Sequence, residues 1–190
     1  MAQFNSYHDT LDLTAATDLC REKGISCLYK KGERFVQQGT VARYAGLVIS
    51  GYFKLTTLNE SGDEAVVNFA FPGEFVTDFH ASIYGEPSEM SVIAGADSEI
   101  LRIPLKEFRA TLTANLSDEY RALFLMALLR HLNIYRKSPE QRYLELCSKY
   151  PFIADTVTLK DIASFLLITP NHLSRIRRKL AQKSSPDAEK

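Results

Sequence analysis

The chain has 190 residues, 45% of them hydrophobic, which allows one good core or a medium domain beside a small one and excludes a disordered chain. No run approaches the roughly eighteen apolar residues of a membrane span, and the polar start MAQFNSYHDT has neither region of a secretory signal, so a cytoplasmic location is expected. Net charge is zero but uneven: residues 1–135 hold 12 Lys/Arg against 17 Asp/Glu, and residues 136–190 hold 11 against 6, which suits a polyanion partner for the C-terminal part alone.

Residues 14–23 predict a short helix, with Thr14 as a candidate cap and Gly24 as its stop. From 25 to 109 the pattern changes. Runs rich in Val, Ile, Phe and Tyr (Cys27–Tyr29, Arg34–Gln37, Ala45–Ile49, Tyr52–Leu58, Ala65–Phe71, Met90–Ala94 and Glu99–Pro104) are separated by glycines. Strands so closely spaced, with turn residues between them, predict a β-sandwich, roll or barrel. Asn59–Asp63 predicts a hairpin turn in which Gly62 takes positive φ.

After Leu105 the period becomes helical. Ser117–Lys137 has no Gly or Pro and carries Tyr120, Leu123, Phe124, Ala127, Leu128, Leu132 and Tyr135 at three- and four-residue intervals. A helix of that length spans roughly 30 Å, which suits packing on a second copy; covering its own β domain is the other reading. Ser138, Pro139 and Gln141 then form a helix start with a capping box, and that helix should end near Tyr150. Residues 184–190 are polar and expected to be disordered.

The functional signal lies at Leu159–Leu180. Leu159–Leu166 and Pro170–Leu180 predict two helices joined by Leu167-Ile168-Thr169. Ile162, Ala163 and Leu166 share one face of the first, and Leu173, Ile176 and Leu180 form the inward stripe of the second. Thr169 can cap that second helix and Pro170 can begin it. Its opposite face carries Asn171, Ser174, Arg175 and Arg178 at i, i+3, i+4 and i+7, the spacing of a recognition helix in a major groove. Arg175 can take guanine O6 and N7, and Asn171 can pair with adenine. Lys160, Thr169, His172, Arg177 and Lys179 suit phosphates, which set register without reading sequence. Leu167 stands where such a turn prefers glycine; either the turn differs or the packing holds the strain.

Taken together, these motifs resemble the Crp/Fnr family of bacterial regulators over residues 10–180. Leu28–Gly39 (LYKKGERFVQQG), Leu47–Leu55 (LVISGYFKL) and Phe71–Val76 (FPGEFV) resemble the strands of its cyclic-nucleotide-binding-type β-roll. Ile103–Phe108 (IPLKEF) resembles the exit from that roll, Ser117–Lys137 the dimerisation helix, and Val157–Leu180 the DNA-binding module. The resemblance implies an α+β fold: a β-roll sensor over 1–115, a dimer helix over 116–137, a helix-turn-helix domain over 138–183 and a tail over 184–190. It also implies a homodimer on double-stranded DNA at a pseudo-palindromic site, RNA polymerase as a further partner, and Arg175 as the base-reading arginine.

Two departures qualify that likeness. Members that bind cyclic nucleotides carry Gly-Glu-hydrophobic and Arg-Ser/Thr where this chain has Thr77-Asp78-Phe79 and Ser88-Glu89-Met90. Glu86 and Glu89 would repel a phosphate, so tight binding of cyclic AMP is not expected. Phe75, Phe79, Ile83, Tyr84 and Met90 are core residues in one reading; in the other they join Asp78 and Glu89 to line a pocket for an unidentified small effector. The second departure is the missing wing: only ten residues follow Leu180, and they carry no strand pattern.

No cofactor is expected. Cys20, Cys27 and Cys147 have no metal-type spacing and fall short of the four thiolates of an iron–sulfur cluster. His80 leaves haem open, although a lone histidine is more often an ordinary packed residue. A cupin-like enzyme would need clustered histidines, and His8, His80, His131 and His172 are scattered. No catalytic motif is present, so no enzyme activity is expected. The remaining alternative is a sensor or scaffold module that does not bind DNA.

Overall fold

The architecture comes from a computed structural model that describes residues 4–5, 12–78, 81, 84–112 and 116–183, without the side chains of 116–120, 122 and 123. The chain divides into two compact units, Met1–Arg130 and His131–Lys190.

The first unit opens with α1 (Thr14–Lys23), followed by β1 (Ile25–Tyr29), β2 (Arg34–Val36), β3 (Tyr44–Ser50), β4 (Phe53–Leu58), β5 (Glu64–Ala70), β6 (Phe75–Val76), β7 (Ser91–Ala94) and β8 (Ser98–Pro104). Helices α2 (Leu105–Thr111) and α3 (Leu116–Arg136) follow, the latter running six residues into the second unit. The strands form two antiparallel sheets, ordered β1-β8-β3-β6 and β2-β7-β4-β5. The expected antiparallel roll is therefore present. Two local expectations need correction. Thr14 is not the cap of α1: the N-cap position is Leu13, and the Thr14 N–H donates instead to Asp12 Oδ1 at 3.0 Å. Phe75–Val76 is a separate strand, two residues long, paired with Gly46 and Leu47.

Burial explains why β3 reads as a continuous apolar run rather than an alternating one. Ala45 and Leu47 belong to a cluster with Ala16, Cys20, Phe75, Ile103 and Phe108, so helices α1 and α2 cover that face of the sheet. Val48 belongs to a second cluster with Phe53, Val76, Val92 and Ile100. With both faces covered, no position on the middle of the strand is left for a polar residue. Phe75 and Phe108 pack at 5.0 Å between ring centroids.

Two glycines are demanded by geometry. Gly62 has φ 80° in the β4–β5 turn, where its N–H donates to Asn59 O at 2.9 Å. A Cβ on Gly95 would lie 2.0 Å from the ring of Tyr52, so the ring can pack there only against a residue without a side chain. A buried carboxylate holds residues 4–5 onto the roll. Glu74 accepts from the Asn5 backbone N–H at 2.7 Å, Asn5 Nδ2 at 3.0 Å and the Phe71 N–H at 2.9 Å. Burial nevertheless raises its carboxyl above the ordinary value, outweighing the donors that favour the charged form.

In the second unit, α4 (Pro139–Lys149), α5 (Ile153–Thr156), α6 (Leu159–Phe165) and α7 (Pro170–Lys183) bury Tyr143, Leu146, Ile153, Val157, Ile162, Leu173 and Ile176. The capping box of α4 is formed as expected: Gln141 N–H donates to Ser138 Oγ at 3.3 Å, and Ser138 N–H to Gln141 Oε1 at 2.8 Å. The four-residue α5 has no periodicity long enough to be read from sequence. Lys183, the end of α7, is the last described residue, and the expected tail at 184–190 lies outside the described residues. No helix of the described residues is long and apolar enough to cross a membrane.

Candidate nucleic-acid interface

The candidate interface is built from α6, the turn after it and α7. Thr158 caps α6 in a reciprocal arrangement: its Oγ1 accepts from the Asp161 N–H at 3.1 Å and donates to Asp161 Oδ2 at 2.9 Å. Ile162 and Ala163 are buried, and the small Ala163 lets α7 approach.

The turn adopts the conformation that makes leucine awkward. Leu167 has φ 57° and is the one non-glycine residue of positive φ among those described. Its N–H donates to Ser164 O at 2.9 Å, and the Ile168 N–H donates to Ala163 O at 3.0 Å. These are the paired bonds of a Schellman termination, whose left-handed position glycine ordinarily takes. A leucine there costs about 1–2 kcal/mol. Arg142 on α4 braces the turn, donating from Nη2 to Leu166 O at 2.9 Å and from Nη1 to Ile134 O at 3.1 Å. Of the two sequence alternatives, the turn is unaltered and its surroundings hold the strain.

Thr169 Oγ1 accepts from the His172 N–H at 3.2 Å at the start of α7. The helix sequence PNHLSRIRRKLAQK contains five basic residues and no acid. At about 100° per residue, positions 171, 174, 175 and 178 fall within one arc, opposite 173, 176 and 180. Asn171, Ser174, Arg175 and Arg178 are all exposed, while Leu173 and Ile176 are buried and Leu180 is half-buried. Among the described residues, Arg175 and Arg178 make no ion pair.

The candidate phosphate contacts are less uniform. Lys160, Thr169 and Arg177 are exposed and His172 is half-buried. Lys179 is engaged: its Nζ lies 2.7 Å from Glu140 Oε2 on α4, with Lys183 Nζ 3.8 Å from the other oxygen. The hydrogen bond from Lys179 holds the Glu140 carboxyl below its usual range. Arg142, Thr158 and Glu140 were not singled out in the sequence. Only the Thr-x-x-Asp spacing of the α6 cap was available as a signal.

The candidate dimer residues lie on α3. Phe124, Ala127, Leu128 and Tyr135 are exposed and Leu132 is half-buried; Leu125 and Leu129 extend the exposed apolar surface. The side chains of Tyr120 and Leu123 lie outside the described residues.

The described candidate effector residues differ in their surroundings. Phe75 is core against Phe108, whereas Tyr84 is exposed. Asp78 accepts from the Glu89 N–H and the Ser88 hydroxyl, which in turn accepts from the Met90 N–H; Phe79, His80 and Ile83 lie outside the described residues. Burial pushes the Cys20 thiol up to about 11, which suits a core residue rather than a ligand. The described residues contain no group of three metal-ligating side chains.

Comparison with solved structures places this arrangement. FixK2 from Bradyrhizobium japonicum superposes with a TM-score of 0.66 at 19% identity, over 85% of this chain and 86% of that one. TTHA1359 from Thermus thermophilus, a transcriptional regulator of the CRP/FNR family, gives 0.62 at 18% identity, over 84% and 87%. The chain has the fold of the Crp/Fnr regulators. Residues 27–115 match the family described as Cyclic nucleotide-binding domain. A putative cAMP-binding regulatory protein from Silicibacter pomeroyi DSS-3 gives 0.64 at 21% identity, over 92% and 83%. No curated protein matches the sequence significantly.

Proposed function

We propose that the protein is a sequence-specific DNA-binding transcription regulator of the Crp/Fnr type, acting as a homodimer on a pseudo-palindromic site. In this reading residues 1–115 are the sensor, 116–137 pair two copies, 138–183 bind DNA, and the protein is not an enzyme. Asn171, Ser174, Arg175 and Arg178 contact base edges, with Arg175 on guanine. Lys160, Thr169, His172, Arg177 and Lys179 contact phosphates. Phe124, Leu128, Leu132 and Tyr135 of α3 form the centre of the pairing surface.

The observation that carries this reading is the exposed face of α7. Four polar side chains share one arc of a helix without acids, seated on a turn closed by two hydrogen bonds and an arginine brace. A plain helical hairpin needs neither a strained leucine nor arginines left without carboxylate partners. Regulators of this fold, TTHA1359 among them, make the reading consistent with the rest of the chain.

The test is a mobility shift on fragmented genomic DNA at low salt, with wild type and Arg175→Ala. Saturable, salt-sensitive binding by wild type is expected, weakened by Arg175→Ala by about 1–3 kcal/mol on the preferred fragment. Absence of any shift at low salt would favour the scaffold reading.

A further inference from the structure

We infer that Arg142 is a positioning residue: its guanidinium ties the pairing end of α3 to the turn that carries α7, and so sets the spacing at which two copies read DNA. The inference rests on the reading of the protein as a dimeric regulator.

Two helix ends each leave a carbonyl without its usual partner. In α3 the donor to Ile134 O would be the Ser138 N–H, four residues on, but the capping box turns that N–H to Gln141 Oε1 at 2.8 Å. The Lys137 N–H is also committed, to Asn133 O at 3.1 Å. In α6 the residue four on from Leu166 is Pro170, which has no N–H to give. The amides of Leu167 and Ile168 already serve Ser164 O and Ala163 O. Arg142 supplies both missing donors, Nη1 to Ile134 O at 3.1 Å and Nη2 to Leu166 O at 2.9 Å.

A guanidinium suits this place. Both carbonyls lie at helix C-termini, where the aligned peptide dipoles favour a cation. A planar fork holds two acceptors in one fixed geometry, which the point charge of a lysine does not. The fork is anchored in turn: the Arg142 N–H donates to Ser138 O at 3.0 Å, and Lys137 at the end of α3 pairs with Glu145 about one turn further along α4. Its Nε is buried without a partner, so the two Nη contacts are what hold the head group.

The two ends it joins are the ones the proposed function uses, and all of them lie within the second unit. Ile134 stands between Leu132 and Tyr135 of the candidate pairing surface. Leu166 precedes the strained Leu167 and the Thr169 that caps α7. A stiff link here makes the direction of α7 follow the pairing helix. One extra base pair between half-sites turns the second by roughly 35° and moves it by about 3.4 Å. Two reading helices held at a fixed distance cannot follow that change.

The test uses the site that wild type selects and the same site with one base pair added or removed at its centre. Wild type should bind the altered sites about tenfold more weakly or worse. Arg142→Gln should bind the selected site a few-fold more weakly, keep the guanine preference that depends on Arg175, and lose most of the spacing penalty. An unaltered penalty overturns the inference. So does loss of the guanine preference, which would mean that α7 itself had come apart. Arg142→Lys keeps the charge without the fork and should not restore the discrimination; full restoration overturns the inference too. This variant carries the comparison should Arg142→Gln fail to fold. Amide exchange reads the tie without DNA: either variant should speed exchange over both 131–138 and 164–173. Faster exchange in one segment alone, or in neither, overturns the inference. A wild type that binds no DNA would sink the regulator reading and leave the exchange result to decide the tie.

Discussion

The two units treat their charges in opposite ways. In the roll, the carboxylates of Glu74 and Asp78 are buried and supplied with backbone and side-chain donors, and at the surface Asp97 pairs with Lys30 at 2.7 Å. In the C-terminal unit, α7 lifts Arg175 and Arg178 into solvent with no carboxylate beside them among the described residues. Burying a charge forces the fold to satisfy it, whereas a charge kept at the surface stays available to a partner. The buried acids of the first unit are therefore committed to the fold, whereas α7 presents an open basic face.

That contrast can be broken most heavily from the roll's side. Phe108→Ala removes a buried ring that packs on Phe75 and should cost about 3–5 kcal/mol of stability, read by denaturant unfolding. Placing a charge on the exposed stripe of α3 tests the pairing surface next. Leu128→Glu should convert the dimer to a monomer in sedimentation and weaken DNA binding by more than tenfold, since two half-sites then bind separately. A dimer that persists would move the interface elsewhere.

Leu167→Gly reaches the strained turn. The leucine is 59% exposed, so little burial is lost, and relief of the left-handed penalty should stabilise the second unit by about 1 kcal/mol. An unchanged or lower melting temperature would mean that leucine contributes packing there. The smallest effect concerns Lys179. Glu140→Gln should release it and Lys183, tightening DNA binding a few-fold and steepening the salt slope by about one unit. Acid acts in the same direction. The Glu140 carboxyl titrates below its ordinary 4.5, so the ion pair persists at neutral pH and is lost only as pH falls through that depressed value.

These sites differ in how far the sequence alone exposes them. The capping box at Ser138 and Gln141, the Gly62 turn and the inward stripe of α7 are local patterns, decided within a few residues. The strain at Leu167 is also local, because a helix-turn-helix connection leaves one position with positive φ. By contrast, Arg142 reaches Leu166 across 24 residues, and Asp78 reaches Ser88 across ten. No periodicity records such contacts, because they depend on how elements pack. The β6 strand has only two residues, too few for an alternation to register. Thr14 is not the cap because α1 starts one residue earlier, with Leu13 at the N-cap and no side chain capping it, and composition does not choose between neighbouring starts.

The open face of α7 is tested most directly by selecting bound fragments from genomic DNA with wild type and Arg175→Ala in parallel. The account predicts that wild type enriches a pseudo-palindrome with half-site centres about 10 base pairs apart or a multiple of that. Arg175→Ala should lose the preference for one guanine position in each half-site. Equal recovery of all fragments by both proteins, or an enriched site unaffected by Arg175→Ala, would contradict it.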